Sequence, residues 1–555
     1  MVAAVSTDSI PFAPTLTDTV EAPLTYFADP MHFPRPLSPL FVSVHGPSFE
    51  RGFTKAVREL NVPIRETRVK VRNHYYFNAM IPAVPANEVE AREMGQRAEA
   101  TLKVEAGRMM ERWTTEHLPL IKWRLHRIET MNVAEAEPAD VVDMLDELQT
   151  IWAENWATHF RIVIPMMLAK QLFDELYVDL FGGTEQDAHA LLIGAESESI
   201  KAGMGLSDLA GSARAAGLTD LLLSMPAEKV PAALARHSMG GYFSAAIRDY
   251  LREYGLRQDL FDFTTPTWRE DPSIVIALVQ AYLRNGHDAR AEHAASTVLA
   301  EKAQIEARQQ LAVYPEAVRG QFAGMLQAAR TAYFLQEEHN FYIDQQMIAL
   351  TRLLFLKLGE RLVTEGALVE AADIFMLSVD EVKAAVFGDQ ESARRIVPQR
   401  MLELMDAAQE PPPPFIGPAP AGPPPADNLI ERAMGRFFGG PPQQAEQPNQ
   451  LKGNPGSRGT ARGVARVVQT LEEAKALQPG EILVTITTMP AWTPLFGTAA
   501  AVVTETGGAL SHCAIVAREY GIPAVVGVYG ATRTIQTGQT ISVDGTSGLI
   551  TLEAE

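Results

Sequence analysis

The sequence predicts a multi-domain protein: a large, mainly α-helical domain over residues 1–408, a proline-rich mobile linker over 409–449, and a small C-terminal α/β domain over 450–555. Three observations predict it. Apolar residues ahead of the linker recur at helical spacing. Prolines crowd one stretch, with 12 of the chain's 37 lying between Pro411 and Pro448. Beyond that stretch, short β-rich runs alternate with helical ones, as in α/β domains.

The helical domain carries several amphipathic stripes. Leu350, Leu353, Leu354 and Leu358 follow one helix face, and Ile343 and Met347 extend it backwards. A second stripe runs through Leu148, Trp152, Trp156, Val163 and Met166, with a kink expected at Pro165. A third helix is expected in YFSAAIRDYLREYG, ended by Gly255. The opening stretch, to about Arg65, is richer in proline and carries no clear period.

The linker, PPPPFIGPAPAGPPPA followed by GGPPQQAEQP, suits extended polyproline. Asp427–Phe438 (DNLIERAMGRFF), between its two clusters, reads as a short amphipathic helix. Flexible-coil scaling gives the linker a reach of roughly 35 Å, enough for one body to move against the other.

Composition narrows the function. With 46% hydrophobic and 21% charged residues the chain can build a sizeable core. Its formal charge of -20 argues against a broad nucleic-acid or anionic-membrane surface. From Gln450 onward 7 basic and 8 acidic residues nearly cancel, so -19 falls on residues 1–449, which fits two separate units. One cysteine, Cys513, leaves no disulfide framework and no multi-cysteine metal site. No signal-peptide pattern and no span of about 18 apolar residues occurs, so the expectation is a cytoplasmic protein without membrane contact. No carboxylate cluster has metal-ligand spacing, so no metal is expected on the chain itself.

The most informative run is Thr504-Glu505-Thr506-Gly507-Gly508-Ala509-Leu510-Ser511-His512-Cys513. A buried strand ends in a Gly-Gly turn, and a helix begins near Ser511. Gly507 and Gly508 let backbone approach a ligand, and the helix start offers unpaired N–H groups, a natural phosphate seat. His512 in the first turn is placed to take a phosphoryl group on a ring nitrogen. Thr504, Ser511 and Arg518 are its candidate phosphate-binding partners, although Arg518 lies six residues along the helix and equally suits a pairing elsewhere. On spacing alone, a surface or capping histidine fits the same pattern.

The run GGALSHCAIVAREYGIPAVVGV, with LKGNPGSRGTARGVARVV and MPAWTPLFGTAAAVVTE upstream, resembles the swivelling phosphohistidine domain of PEP-utilising enzymes. That family includes phosphoenolpyruvate synthase, pyruvate phosphate dikinase and rifampicin phosphotransferase. The resemblance spans essentially all of 450–555 and implies that His512 relays phosphate between a nucleotide site and an acceptor site. Cys513 stands where such proteins usually have Ala, and a small buried thiol reads as packing. No Walker loop or nucleotide hairpin is legible, nor the strand–helix repeats of a PEP barrel, so the donor site is expected on another polypeptide.

The helical domain is then the substrate-binding candidate. YFADPMHFPRPLSPL, YGLRQDLFDFTTPTWREDPS and EEHNFYIDQQMIALTRLLFLKLGERLVTEGALVEAADIFMLSVDEV resemble the substrate-binding region of rifampicin phosphotransferase-like proteins. Together with the missing donor, the chain resembles the large subunit of a two-component aryl phosphate synthase of the phenylphosphate or 4-cresol phosphate type. That resemblance implies ATP and Mg2+ on a separate ATP-grasp subunit, a covalent phosphohistidine, and a small phenol converted to aryl phosphate, AMP and phosphate. A rifamycin-like antibiotic acceptor and a non-catalytic phosphocarrier or regulator are the alternatives.

A phenol hydroxyl, with a pKa of about 10, benefits from a base or from charge stabilisation. His339 and His159 lie on the two apolar stripes, where they suit either that role or an ordinary satisfied core position. Trp156 is a candidate aromatic wall. Glu338 and Tyr342 flank His339 as an i, i+4 pair, either orienting it or lying exposed. Arg352 suits phosphoryl charge or pairing with an acid. Trp268-Arg269-Glu270-Asp271-Pro272 reads as a helix start with acids near its positive end.

Overall fold

The computed structural model describes residues 24–286, 288–419, 443–474 and 476–553. The expected helix over 427–438 and most of the proline-rich stretch lie outside the described residues.

The predicted helical body is present, with a small sheet that the sequence did not announce. Strands β1 (Tyr26–Ala28), β2 (Ile64–Arg72), β3 (Tyr75–Pro82) and β4 (Phe415–Ile416) form an antiparallel sheet in the order β2-β3-β1-β4. β4 comes from the range expected to be linker. It is held by a bond from Ala28 N–H to the Pro414 carbonyl (3.0 Å), so the first residues of that range belong to the helical body's sheet.

The long helix Pro138–Phe181 begins with proline at its first position and stops at Gly182, whose left-handed φ of 64° ends it. It continues through Pro165 as one helix. The expected third helix is Gly240–Tyr254. The Ile343–Leu358 stripe is buried as predicted, each fully buried leucine contributing about 1.5–3 kcal/mol. It is not one α-helix, however. Helix Glu316–His339 passes into a π turn at Asn340–Gln345 before helix Gln346–Thr364 resumes.

Strands β5 (Gln450–Lys452), β6 (Asn454–Ser457), β7 (Thr460–Val467), β8 (Ile482–Thr485), β9 (Ala501–Thr504), β10 (Ala524–Val526), β11 (Thr540–Asp544) and β12 (Leu549–Leu552) build the C-terminal α/β unit. Their order is β5-β12-β11-β7-β8-β9-β10-β6, with β7 to β10 parallel at the centre. Of these, β8, β9 and β10 are nearly continuous apolar runs because both faces are covered, whereas β7 alternates toward solvent.

The unit is docked on the helical body. Arg458 pairs with Asp187 (2.5 Å), Asn285 donates to Thr498 (2.7 Å), and Tyr333 donates its hydroxyl proton to the Ile515 carbonyl (3.1 Å). Asp259 accepts from Leu471 N–H and from the Trp492 indole. Among the described residues no helix is long and apolar enough to cross a membrane.

Candidate functional site

β9 runs buried to Thr504, and the chain turns at Gly507, whose φ of 97° belongs to the left-handed region. Helix His512–Glu519 follows, capped by the Ser511 hydroxyl, which accepts from Ala514 N–H. Gly508 is buried, and its carbonyl accepts from Ser511 N–H (3.0 Å). His512 therefore stands where the sequence placed it.

His512 is not on a free surface. It is 8% exposed, docked against the helical body with Nδ1 at 3.0 and 3.1 Å from the two Glu337 carboxylate oxygens. A carboxylate accepts only, so Nδ1 carries the hydrogen and Nε2 keeps its lone pair. Nε2 faces the Thr493 hydroxyl at 3.4 Å. Ser199 donates to Glu337 (2.6 Å) from the other side. Burial pushes the Glu337 carboxyl up, but the His512 ring and the Ser199 hydroxyl outweigh it and hold it below the usual carboxylate range. A negative charge is thus kept on the far side of the imidazole from its nucleophilic nitrogen.

Two predicted phosphate ligands turn out to brace the turn. The Thr504 hydroxyl donates to the Thr506 carbonyl (2.9 Å), and Arg518 donates through NH2 to the Ala509 carbonyl (2.6 Å). Arg518 is half-buried beside Tyr333 rather than paired on the surface. Cys513 packs in the core, its thiol pushed up to about 12 by burial, which agrees with a packing role.

The second cluster lies beneath helix 316–339. His159 Nδ1 is 3.0 Å from Asp344 Oδ1, His339 Nε2 is 3.9 Å from Asp344 Oδ2, and the two imidazoles stand 4.8 Å apart. His339 donates through Nδ1 to the Leu335 carbonyl (2.7 Å), and burial pushes its pKa down to about 4. Trp156 packs edge-on to both His159 and His45, and His45 lies 5.3 Å from the Tyr76 ring. The Asp29–His32 pair (2.8 Å) completes the group, close enough for its charges to act on His45. His45, Tyr76 OH and the Trp156 indole N–H are buried without hydrogen-bond partners. Unsatisfied polar groups gathered among aromatic rings in this way are the candidate lining of a binding site.

Three sequence expectations need correction. Glu338 does not orient His339: its carboxylate accepts from Glu198 N–H (2.9 Å), and burial raises it to about 7. Tyr342 turns toward Trp113 and Lys122, away from the histidines. Arg352 is committed to Glu270 (2.8 Å) and the Phe263 carbonyl, so it is a structural ion pair and Glu270 is more than a helix-start acid.

Sequence reading missed Glu337, Ser199, Asp344 and Arg257. Arg257 is completely buried, its guanidinium 4.7 Å from the Phe341 ring centre and bonded to the Glu198 carbonyl (3.0 Å) and Gln345 (3.4 Å). The three scattered motifs converge here through Ser38–Asp262 (2.8 Å), Arg257–Gln345 and Arg352–Glu270.

Residues 477–548 match the family model of the PEP-utilising enzyme mobile domain. The C-terminal α/β unit thus matches the PEP-utilising mobile domain over these residues. Residues 158–337, which include His159, Ser199, Arg257 and Glu337, match the rifampicin phosphotransferase fourth domain. The chain is similar to chondramide synthase cmdD of Chondromyces crocatus, at 34% identity over 96% of this chain and 14% of that protein. It is also similar to the uncharacterized phosphotransferase YvkC of Bacillus subtilis, at 28% identity over 93% of this chain and 60% of that protein. Rifampicin phosphotransferase of Streptomyces sviceus is 34% identical over 55% of this chain and 34% of its own length. The chain thus spans less than two thirds of each of these relatives. Within the matched residues, His512 meets the Glu337 carboxylate of the helical body.

Proposed function

We propose that this chain is the acceptor half of a phosphohistidine phosphotransferase. His512 takes a phosphoryl group from ATP and Mg2+ held on a separate ATP-grasp subunit, and hands it to the hydroxyl of a small phenol in the histidine–aromatic chamber. One water is consumed as well, and the products are aryl phosphate, AMP and inorganic phosphate, which makes the chain an aryl phosphate synthase subunit.

The observation that carries this reading is the docked His512, with Glu337 behind Nδ1 and Nε2 left as the nucleophile. In loading, Nε2 attacks the β-phosphorus of ATP as AMP leaves, and water then releases the γ-phosphoryl group as inorganic phosphate. The ring made cationic by the new P–N bond carries a charge that Glu337 balances whenever the domain is docked. In delivery, the aryl oxygen attacks, the P–Nε2 bond breaks and its electron pair returns to the ring. The acceptor proton leaves into the His159–His339–Asp344 cluster. Glu337 and His339 lie two residues apart on one helix, so the relay station and the chamber share a single support. The chamber is closely enclosed, with His339 2% and Asp344 5% exposed, which favours a small acceptor over a macrocycle.

A rifamycin-like acceptor is the second reading, favoured by the match of residues 158–337 to a rifampicin phosphotransferase domain. Labelling with ATP carrying radioactive β-phosphate, with and without a candidate ATP-grasp partner, separates the readings. The expected result is acid-labile label on His512 only with the partner, released by 4-cresol. Release by a rifamycin and not by phenols selects the second reading. No label from an active donor, or aryl phosphate made by a His512→Ala chain, overturns both, and the former leaves a helical binding protein carrying a silent mobile domain.

A further inference from the structure

The His159–His339–Asp344 cluster has a feature that acid–base work alone does not explain. The Leu335 carbonyl can only accept, so His339 carries its hydrogen on Nδ1 and turns the Nε2 lone pair toward the Asp344 carboxylate, 3.9 Å away. A lone pair facing a carboxylate oxygen across a dry gap is repulsive unless a cation lies between them. A second pair repeats the pattern: His159 Nδ1 and Asp344 Oδ1 lie 3.0 Å apart, buried, yet without hydrogen-bond alignment.

The backbone brings these three groups together by an irregular route. Five residues along an α-helix turn the chain by about 500°, which would set Asp344 about 140° from His339. The π turn Asn340–Gln345, with its wider i→i+5 spacing, carries Asp344 back toward the His339 face. The Leu335 carbonyl on Nδ1 is the kind of partner that fixes the tautomer of a metal-binding histidine.

We propose that His159, His339 and Asp344 bind a divalent transition-metal ion. Two imidazoles and one carboxylate suit Zn2+, Fe2+, Co2+ or Mn2+ better than Mg2+ or Ca2+, which take oxygen ligands. The donor atoms lie within 4.8 Å of one another. Closing them onto bonds of about 2.0–2.2 Å requires side-chain rotations of the order of an ångström. Three protein ligands leave coordination positions open, and the His159 side chain, 12% exposed, forms the accessible side. Polarising the acceptor hydroxyl at those positions would rest on the function proposed above; binding of the ion does not.

The test titrates the metal-free full-length chain with Co2+ and follows the visible d–d absorption, with metal content after desalting as a second readout. The expected result is stoichiometric Co2+ with a low-symmetry spectrum, displaced by Zn2+. His339→Gln and Asp344→Asn should each weaken binding by at least about tenfold. His126→Gln, at an exposed histidine, should not change it. Circular dichroism and loading of His512 from its donor report whether each variant folds. Absence of stoichiometric Co2+ in the unaltered chain, or equal binding by a folded His339→Gln/Asp344→Asn variant, overturns the site and leaves a histidine–aspartate ion pair. Neither result depends on acceptor turnover, so failure of the metal site and failure of the phosphotransferase reading remain distinguishable.

Discussion

Glu337→Gln separates the two halves of the relay. Glu337 belongs to the helical body and touches His512 only when the mobile domain is docked there. The substitution keeps the side-chain shape and removes its charge. A hydrogen bond to a charged partner contributes about 1.5–3 kcal/mol. Glu337 holds the hydrogen on Nδ1 of the phosphorylated ring, so that neutral imidazole and not imidazolate leaves, and without that contribution delivery should slow by about ten- to 150-fold. Loading at a distant donor station should be unchanged. Rapid-quench measurement of label entering and leaving His512 reads both rates in one protein. Ser199→Ala, which removes one neutral donor from the same carboxylate (2.6 Å), should show a smaller effect of the same kind. Equal slowing of loading and delivery, or normal delivery in a folded Glu337→Gln chain, would refute the argument.

Glu519, on the mobile domain, accepts from Gly194 N–H of the helical body, and burial raises it to about 8, with Glu337 adding to the rise and Arg518 and Arg330 opposing it. Released from the interface, it returns toward its ordinary value near 4.5, so docking takes up a proton. The docked state is therefore most favoured below that lower value, weakens by up to about tenfold per pH unit as pH rises to about 8, and levels off above it. Glu519→Gln should flatten this profile, measured by energy transfer between dyes on the two domains. Gly507→Ala should destabilise the turn by at least about 1–3 kcal/mol, because φ is positive and the new Cβ would meet Ser511 Cβ at 2.8 Å; thermal unfolding and loss of label measure it. Arg352→Met should cost about 3–5 kcal/mol of stability by leaving Glu270 without its partner, while the variant that still folds loads His512 normally.

The phosphohistidine turn is legible in the sequence because its determinants are local: an apolar strand, two glycines, a capping serine and the histidine follow one another within a dozen residues. The helical stripes are legible for the same reason. The partner carboxylate is not. Glu337 and Glu338 are adjacent and identical, and only the packing of helix 316–339 decides that the first meets His512 while the second binds Glu198 N–H. Asp344 escaped because α-helical periodicity turns it away from His339, and a π turn cannot be read from that period. β1 and β4 pair across nearly 390 residues through strands of three and two residues, too short to show alternation. Arg257 is one of two arginines in its motif, and its complete burial depends on elements distant in sequence.

The most direct measurement of the central claim is a single turnover without donor or nucleotide. The chain is loaded on His512, purified from its donor, and mixed with 4-cresol in a rapid-quench apparatus. The account predicts that the label leaves His512 and appears as aryl phosphate with matching kinetics, faster than its loss to water. Label that stays on His512, or that is released only as inorganic phosphate at the rate seen without the phenol, would contradict it.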